Sequence, residues 1–114
     1  MQKHLADHAR AWIARIIETE PRPGSLCDRK IGLQMGHSRE TIGYHRRLLG
    51  ILPANDRREL AVARMIRHED KRRPLTDSQI GERVGVSRQA AHAIRTRLGF
   101  ASARKRRQAA ERGS

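Results

Sequence analysis

The chain repeats itself at an interval of 49 residues, and the repeat runs without a gap. The phrase "IGLQMGHSRETIGYHRRLLGI" (Ile31 to Ile51) returns as "IGERVGVSRQAAHAIRTRLGF" (Ile80 to Phe100). The shift lays Gly32 on Gly81, Gly36 on Gly85, Ser38 on Ser87, Arg39 on Arg88, Arg46 on Arg95, Leu49 on Leu98 and Gly50 on Gly99. It also pairs "IARII" (Ile13 to Ile17) with "VARMI" (Val62 to Ile66), and Asp28 with Asp77. Such a chain is expected to form two copies of one small unit. With 114 residues to share, each copy has a thin core.

Each copy reads as three helices, and no segment shows sustained period-2 alternation, so the fold class is all-α. In the first copy Leu5, Ala9, Trp12, Ile13, Ile16 and Ile17 fall at helical spacing, and "PRPG" (Pro21 to Gly24) stops the helix. The second copy offers Leu60, Val62, Ala63 and Ile66 on the same face, with Asn55 or Asp56 as N-cap. The expected layout is a three-helix domain over 1–50, a linker over 51–55, a second three-helix domain over 56–100, and a basic flexible tail over 101–114.

The short helix pair within each copy carries the functional signal. A helix-turn-helix needs a small residue where its helices cross, a glycine in the turn, and apolar residues at fixed places around both. In the second copy Ile80 and Val84 are the apolar positions, Gly81 the crossing residue, Gly85 the turn, and Val86 the plug. Ser87 caps the next helix, Ala91, Ile94 and Leu98 point inward, and Gly99 ends it. The first copy departs at two inward positions, with His37 in place of Val86 and His45 in place of Ile94. These histidines are expected to reach the surface of a thinner core or to bond to backbone groups. A site using His37, His45 and Cys27 matches no zinc spacing, and no metal or other cofactor is expected.

These residues resemble the helix-turn-helix, homeodomain-like class of DNA-binding proteins, here in tandem. The stretch "RPLTDSQIGERVGVSRQAAHAIRTRLGFASARKRR" further resembles the C-terminal promoter-reading domain of sigma-54-class sigma factors. By that resemblance Arg88 corresponds to the first arginine of the family's DNA-reading box, Arg95 to one near its end, and Leu98 and Gly99 to its closing pair. The chain departs from the box at Gln89, and at Glu40 in the first copy, and its turn is shorter. The similarity covers about 35 residues, and no polymerase-binding region is present, so it implies a manner of docking on DNA and not a working sigma factor.

Charge agrees with a polyanionic partner. Lys and Arg number 25 against 12 Asp and Glu, a net charge of +13, and 21 of the 25 are Arg, whose planar fork suits phosphate and the guanine edge. Double-stranded DNA is the expected partner, with RNA polymerase a second candidate. A monomer suffices to bind, and a homodimer stays open. One cysteine, no membrane-length apolar run and a polar N-terminus point to a cytoplasmic protein. As a DNA-binding regulator it is expected to be of phage or bacterial type and to join the nucleoid when bound to DNA.

The second helix of each pair is expected in the major groove. Base reading falls to Arg39, Glu40 and Tyr44 in the first copy and to Arg88, Gln89 and His92 in the second. Arg grips guanine and Gln grips adenine bidentately, each pair discriminating by about 1–3 kcal/mol. Arg39 and Arg88 could instead hold phosphates alone, and Glu40 could simply favour the helix dipole. Phosphate contact is expected of Ser38, Arg46 and Arg47, and of Ser87, Arg95 and Arg97. The loop residues Lys71, Arg72 and Arg73, and the tail residues Arg104, Lys105, Arg106 and Arg107, are expected to join them, the tail as a loose arm.

No Gly-rich phosphate loop, carboxylate pair or triad-like setting appears, so an enzyme is not expected. A small transcriptional regulator is the first expectation. The alternatives are an end- or origin-binding module of a mobile element or phage, an RNA- or ribosome-associated basic protein, and a protein-interaction module. Aromatic stacking surfaces, usual in sequence-specific RNA readers, reduce here to Trp12, Tyr44 and Phe100.

Overall fold

A computed structural model describes the backbone of residues 2–113 and the side chains of residues 7–113, so the Leu5 side chain lies outside the described residues. Seven helices follow one another: α1 (Gln2–Glu18), α2 (Asp28–Met35), α3 (Arg39–Leu48), α4 (Ala54–His68), α5 (Asp77–Val84), α6 (Arg88–Arg97) and α7 (Ala103–Arg112). The described residues contain no strand, and the fold is all-α. No helix among them is long and apolar enough to cross a membrane.

The chain divides into two compact units, Met1–Arg57 and Arg58–Ser114, the division falling inside α4. In the first unit Ile13, Ile16, Ile17, Ile31 and Ile42 form the core, with Leu26, Met35 and Ile51 packed against it. The second unit is built on Val62, Ile66, Ile80, Val84, Ala91 and Ile94, flanked by Leu75, Val86, Leu98 and Phe100 among others. Ile31 corresponds to Ile80 and Ile42 to Ala91, so the two cores occupy the same places in the repeat. Two expected core residues lie outside: Trp12 is 53% exposed and Leu60 36%. Both sit on the flank of a helix whose buried stripe is narrow, as a core of five or six residues dictates.

The α2–α3 and α5–α6 pairs are built alike. Gly36 ends α2 and Gly85 ends α5 with φ of 74° and 77°, the left-handed region where a Cβ is strained, and each backbone N–H bonds back to the glycine four residues earlier. Those earlier glycines are the crossing points. A Cβ on Gly81 would sit 2.6 Å from the Val86 carbonyl oxygen, and one on Gly32 would collide with the His37 carbonyl oxygen. Ser38 and Ser87 cap α3 and α6, accepting from the backbone N–H of Thr41 and Ala90 at 3.2 and 3.1 Å. Thr76 and Gln79 form a capping box at the start of α5, while Cys27, in the Thr76 position, makes no side-chain cap.

The segments read as linker and tail are ordered parts of the units. Residues 101–114 carry helix α7, capped by Ser102, where a flexible tail was expected, and α4 begins at Ala54 without using Asn55 or Asp56 as cap. The reason is a buried ion pair repeated at the same interval. Arg106 donates from Nε and Nη2 to Glu69 at 2.8 and 3.0 Å and to the Leu75 carbonyl at 2.7 Å. In the first unit Arg57 does the same to Glu20, at 3.1 Å twice, and to the Leu26 carbonyl at 2.7 Å. Each pair is almost fully shielded, with Glu69 1% and Glu20 8% exposed, and each carboxylate also accepts backbone N–H bonds from the loop it faces. Burial alone would raise the Glu20 pKa, but Arg57 and the Gly24 and Leu26 amides outweigh it and hold the carboxyl below its ordinary value.

Candidate nucleic-acid interface

Helices α3 and α6 present the same register of outward residues. On α3, Arg39, Glu40 and Tyr44 are exposed; on α6, Arg88, Gln89 and His92 are. All six residues expected to face a base edge are thus at the surface. Arg39 Nε and Glu40 Oε1 lie 3.2 Å apart with both side chains more than two-thirds exposed, a pair too solvated to hold either residue in place. The Glu40 carboxyl is nonetheless kept below its usual range, first by its own backbone N–H at the helix start and then by Arg39. An ionised Glu40 accepts hydrogen bonds and donates none. Tyr44 is 54% exposed and meets the ring of His45 edge-on at 5.4 Å.

The counterpart positions Gly43 and His92 differ in a way the fold explains. A Cβ on Gly43 would lie 3.2 Å from both Arg47 Nη1 and Asp28 Oδ2. In the second unit His92 fills that place, its Nδ1 3.2 Å from Asp77 Oδ2 and 3.0 Å from Arg95 Nη2. With Nδ1 engaged, Nε2 is the ring nitrogen left to meet a partner. Asp77, Arg88, Gln89 and His92 together line a shallow cleft of about 300 Å³.

Three of the arginines expected on phosphates serve the scaffold. Arg46 is 6% exposed; it donates to Asp28 at 2.9 and 3.2 Å and to the Ile51 carbonyl at 3.0 Å. Arg95, also 6% exposed, donates to Asp77 at 2.7 and 3.1 Å and to the Phe100 carbonyl at 2.9 Å. Arg106 is spent on Glu69 and Leu75, as described. All three are corrections to the phosphate assignment, with one cause: each guanidinium is nearly shielded from solvent, and its nitrogens are committed to a carboxylate and a carbonyl. Hydrogen bonds from Arg95 hold the Asp77 carboxyl below its ordinary value against the opposing effect of burial, and His92 adds to the lowering.

The other expected phosphate contacts divide by availability. Arg47 and Lys105 are exposed, and Arg97 is exposed but ion-paired to Glu59. The Ser38 and Ser87 oxygens accept at their helix starts; Ser38 also shares a 2.9 Å bond with the Thr41 hydroxyl. Lys71 donates to the Ile66 carbonyl at 2.9 Å, closing the end of α4, with its Nζ 4.0 Å from Glu69. Arg72, Arg73, Arg104 and Arg107 share one cleft, although the sequence separates them by about thirty residues.

His37 is exposed and His45 is buried, its Nδ1 accepting from Arg10 Nε at 3.1 Å. Burial, then the charges of Arg10 and His37, push the His45 pKa below the ordinary imidazole value. No group of three or more His, Cys, Asp or Glu among the described residues is placed to hold a metal. The residues that sequence reasoning missed are the acids. Glu20 and Glu69, like Arg57 and Arg106, coincide under the 49-residue shift, and acidic positions kept in register within so basic a chain were the available signal. Comparison of the chain with protein-family models, with curated proteins and with solved structures gives no match.

Proposed function

We propose that the protein binds double-stranded DNA sequence-specifically through two helix-turn-helix readers, α3 and α6, and acts as a small transcriptional regulator. The observation that carries this reading is the division of labour along each helix. The crossing and turn glycines, the capping serine, and the buried arginine with its aspartate repeat between copies, whereas exposed positions differ: Glu40 against Gln89, Tyr44 against Ala93. Only Arg39 and Arg88 are common to both outward faces. A duplicated scaffold with distinct exposed faces suits two different half-sites, each with a guanine for the shared arginine.

A net charge of +13 supports attraction to the phosphate backbone. The resemblance of the second pair to a sigma-factor promoter-reading domain agrees with groove docking by α6. Two readers in one chain raise affinity through effective concentration, with no need of a dimer interface. Selection of bound duplexes from a random pool tests the reading. A two-part, asymmetric consensus is expected, and Arg39→Ala and Arg88→Ala should each relax specificity in one part by about 1–3 kcal/mol. No enrichment, or a consensus indifferent to both substitutions, would overturn it.

A further inference from the structure

The second unit brings together four arginines from two segments of sequence. Arg72 and Arg73 stand in the loop before α5, Arg104 and Arg107 in the first half of α7, and with Thr76 they line an open cleft of about 400 Å³. The buried Arg106–Glu69 pair and the bond from Arg106 to the Leu75 carbonyl fasten the start of α7 to that loop, so the walls of the cleft are held in place. Within the described residues Arg72, Arg73 and Arg104 form no ion pair, and Arg107 reaches Glu111 of its own helix at 3.8 Å. Of the two acids at the start of the loop, Glu69 is committed to Arg106, and Asp70 accepts from the Arg72 backbone N–H at 3.0 Å. Guanidinium groups gathered this way repel one another until an anion is shared between them.

The repeat supplies an internal control. The positions 49 residues earlier hold Pro23, Gly24, Asn55 and Arg58, one arginine against four, around the first unit's Arg57–Glu20 fastening. The scaffold therefore forms without these charges. The whole-unit balance follows the same direction: residues 58–114 carry 15 Lys and Arg against 6 Asp and Glu, residues 1–57 carry 10 against 6.

We propose that this cleft is a phosphate clamp particular to the second unit, gripping the sugar–phosphate backbone of duplex DNA beside the half-site that α6 reads. It rests on the DNA-binding reading above and adds an asymmetry to it. The second unit supplies most of the salt-dependent grip, and the first contributes mainly base selection.

The test is the dependence of duplex affinity on salt. Arg72→Ala/Arg104→Ala in the full chain should lower the slope of log affinity against log salt by about 2, since each phosphate contact contributes about 0.9. The loss should be equal on a selected and a scrambled duplex, with discrimination between them unchanged. A charge-matched pair in the first unit, Arg22→Ala/Arg29→Ala, should move the slope by less than half as much. Unchanged thermal midpoints check that both variants fold. An unchanged slope for Arg72→Ala/Arg104→Ala, or equal losses in both pairs, overturns the clamp. So does tight binding of inorganic pyrophosphate that depends on these arginines while the duplex slope stays put, because the ligand would then be a free polyphosphate. Failure of the base-reading proposal looks different: wild-type protein would not discriminate between duplexes, yet the slope would still fall in the cleft variant.

Discussion

Arg95 separates two physical roles that a basic residue on a helix proposed to face DNA can play. If it held a phosphate, Arg95→Ala would weaken DNA binding and leave folding alone. Its geometry calls for the opposite. Three donated bonds, to Asp77 at 2.7 and 3.1 Å and to the Phe100 carbonyl at 2.9 Å, tie α6 to the start of α5 and to the segment after α6. The guanidinium side chain is 8% and Asp77 20% exposed, so solvent screens the pair only weakly. Truncation leaves the Phe100 carbonyl without its partner and a partly buried carboxylate with only the exposed His92 beside it, which costs about 3–5 kcal/mol. Small domains have about 5–15 kcal/mol of stability in all, and a unit of this size lies at the low end. Urea unfolding followed by far-UV circular dichroism should therefore show the variant's transition moved to much lower denaturant, or partly unfolded protein without any. The exposed Arg47→Ala serves as comparator and should stay within about 0.5 kcal/mol of wild type. A loss below about 1 kcal/mol for Arg95→Ala, the range of exposed ion pairs, together with weakened DNA binding would refute the buried-pair reasoning and restore the phosphate role.

Other outcomes follow from the same geometry. Gly81→Ala places a Cβ 2.6 Å from the Val86 carbonyl oxygen, a backbone atom that cannot swing away, and should cost about 3 kcal/mol, at the upper end of overpacking, in thermal or urea unfolding. Because the folded Asp77 pKa lies below its unfolded value, the stability it contributes is complete above about pH 4 and is lost as pH falls through the lower folded pKa; Asp77→Asn should flatten that part of an acid titration of stability. His45 titrates with a lowered folded pKa as well, so the unfolded chain takes up the proton first. Stability of the first unit should be full at neutral pH and decline as pH drops below about 6.5, and His45→Gln should remove this dependence in melts from pH 7.5 to 5.5.

Much of the architecture was legible because it rests on local rules. The turn glycines, the capping serines, and the apolar positions at three- and four-residue steps each act within a few residues, and a second copy 49 residues on repeats them. The outward residues of α3 and α6 follow from the same periodicity, since fixing the buried stripe of a helix also fixes its exposed one. Trp12 and Leu60 escaped this logic because the helical face is wider than the core available to cover it.

The charges divided differently. Every arginine looks alike in sequence, and charge counting assigned Arg46, Arg95 and Arg106 to phosphates along with their exposed neighbours. Their burial depends on an acid 18 residues earlier for the first two and 37 for the third, distances no local rule spans. The same holds for α7: "ARKRR" reads as a loose basic arm until Glu69 is found waiting for Arg106. By itself, then, the amino-acid order determined the repeat, the all-helical class and the faces of the paired helices, because propensity, capping and periodicity act over one or two turns. Which cations are sealed into the scaffold and which remain for a partner was decided only by tertiary structure, because a charge takes its role from the partner and the solvent that folding places beside it.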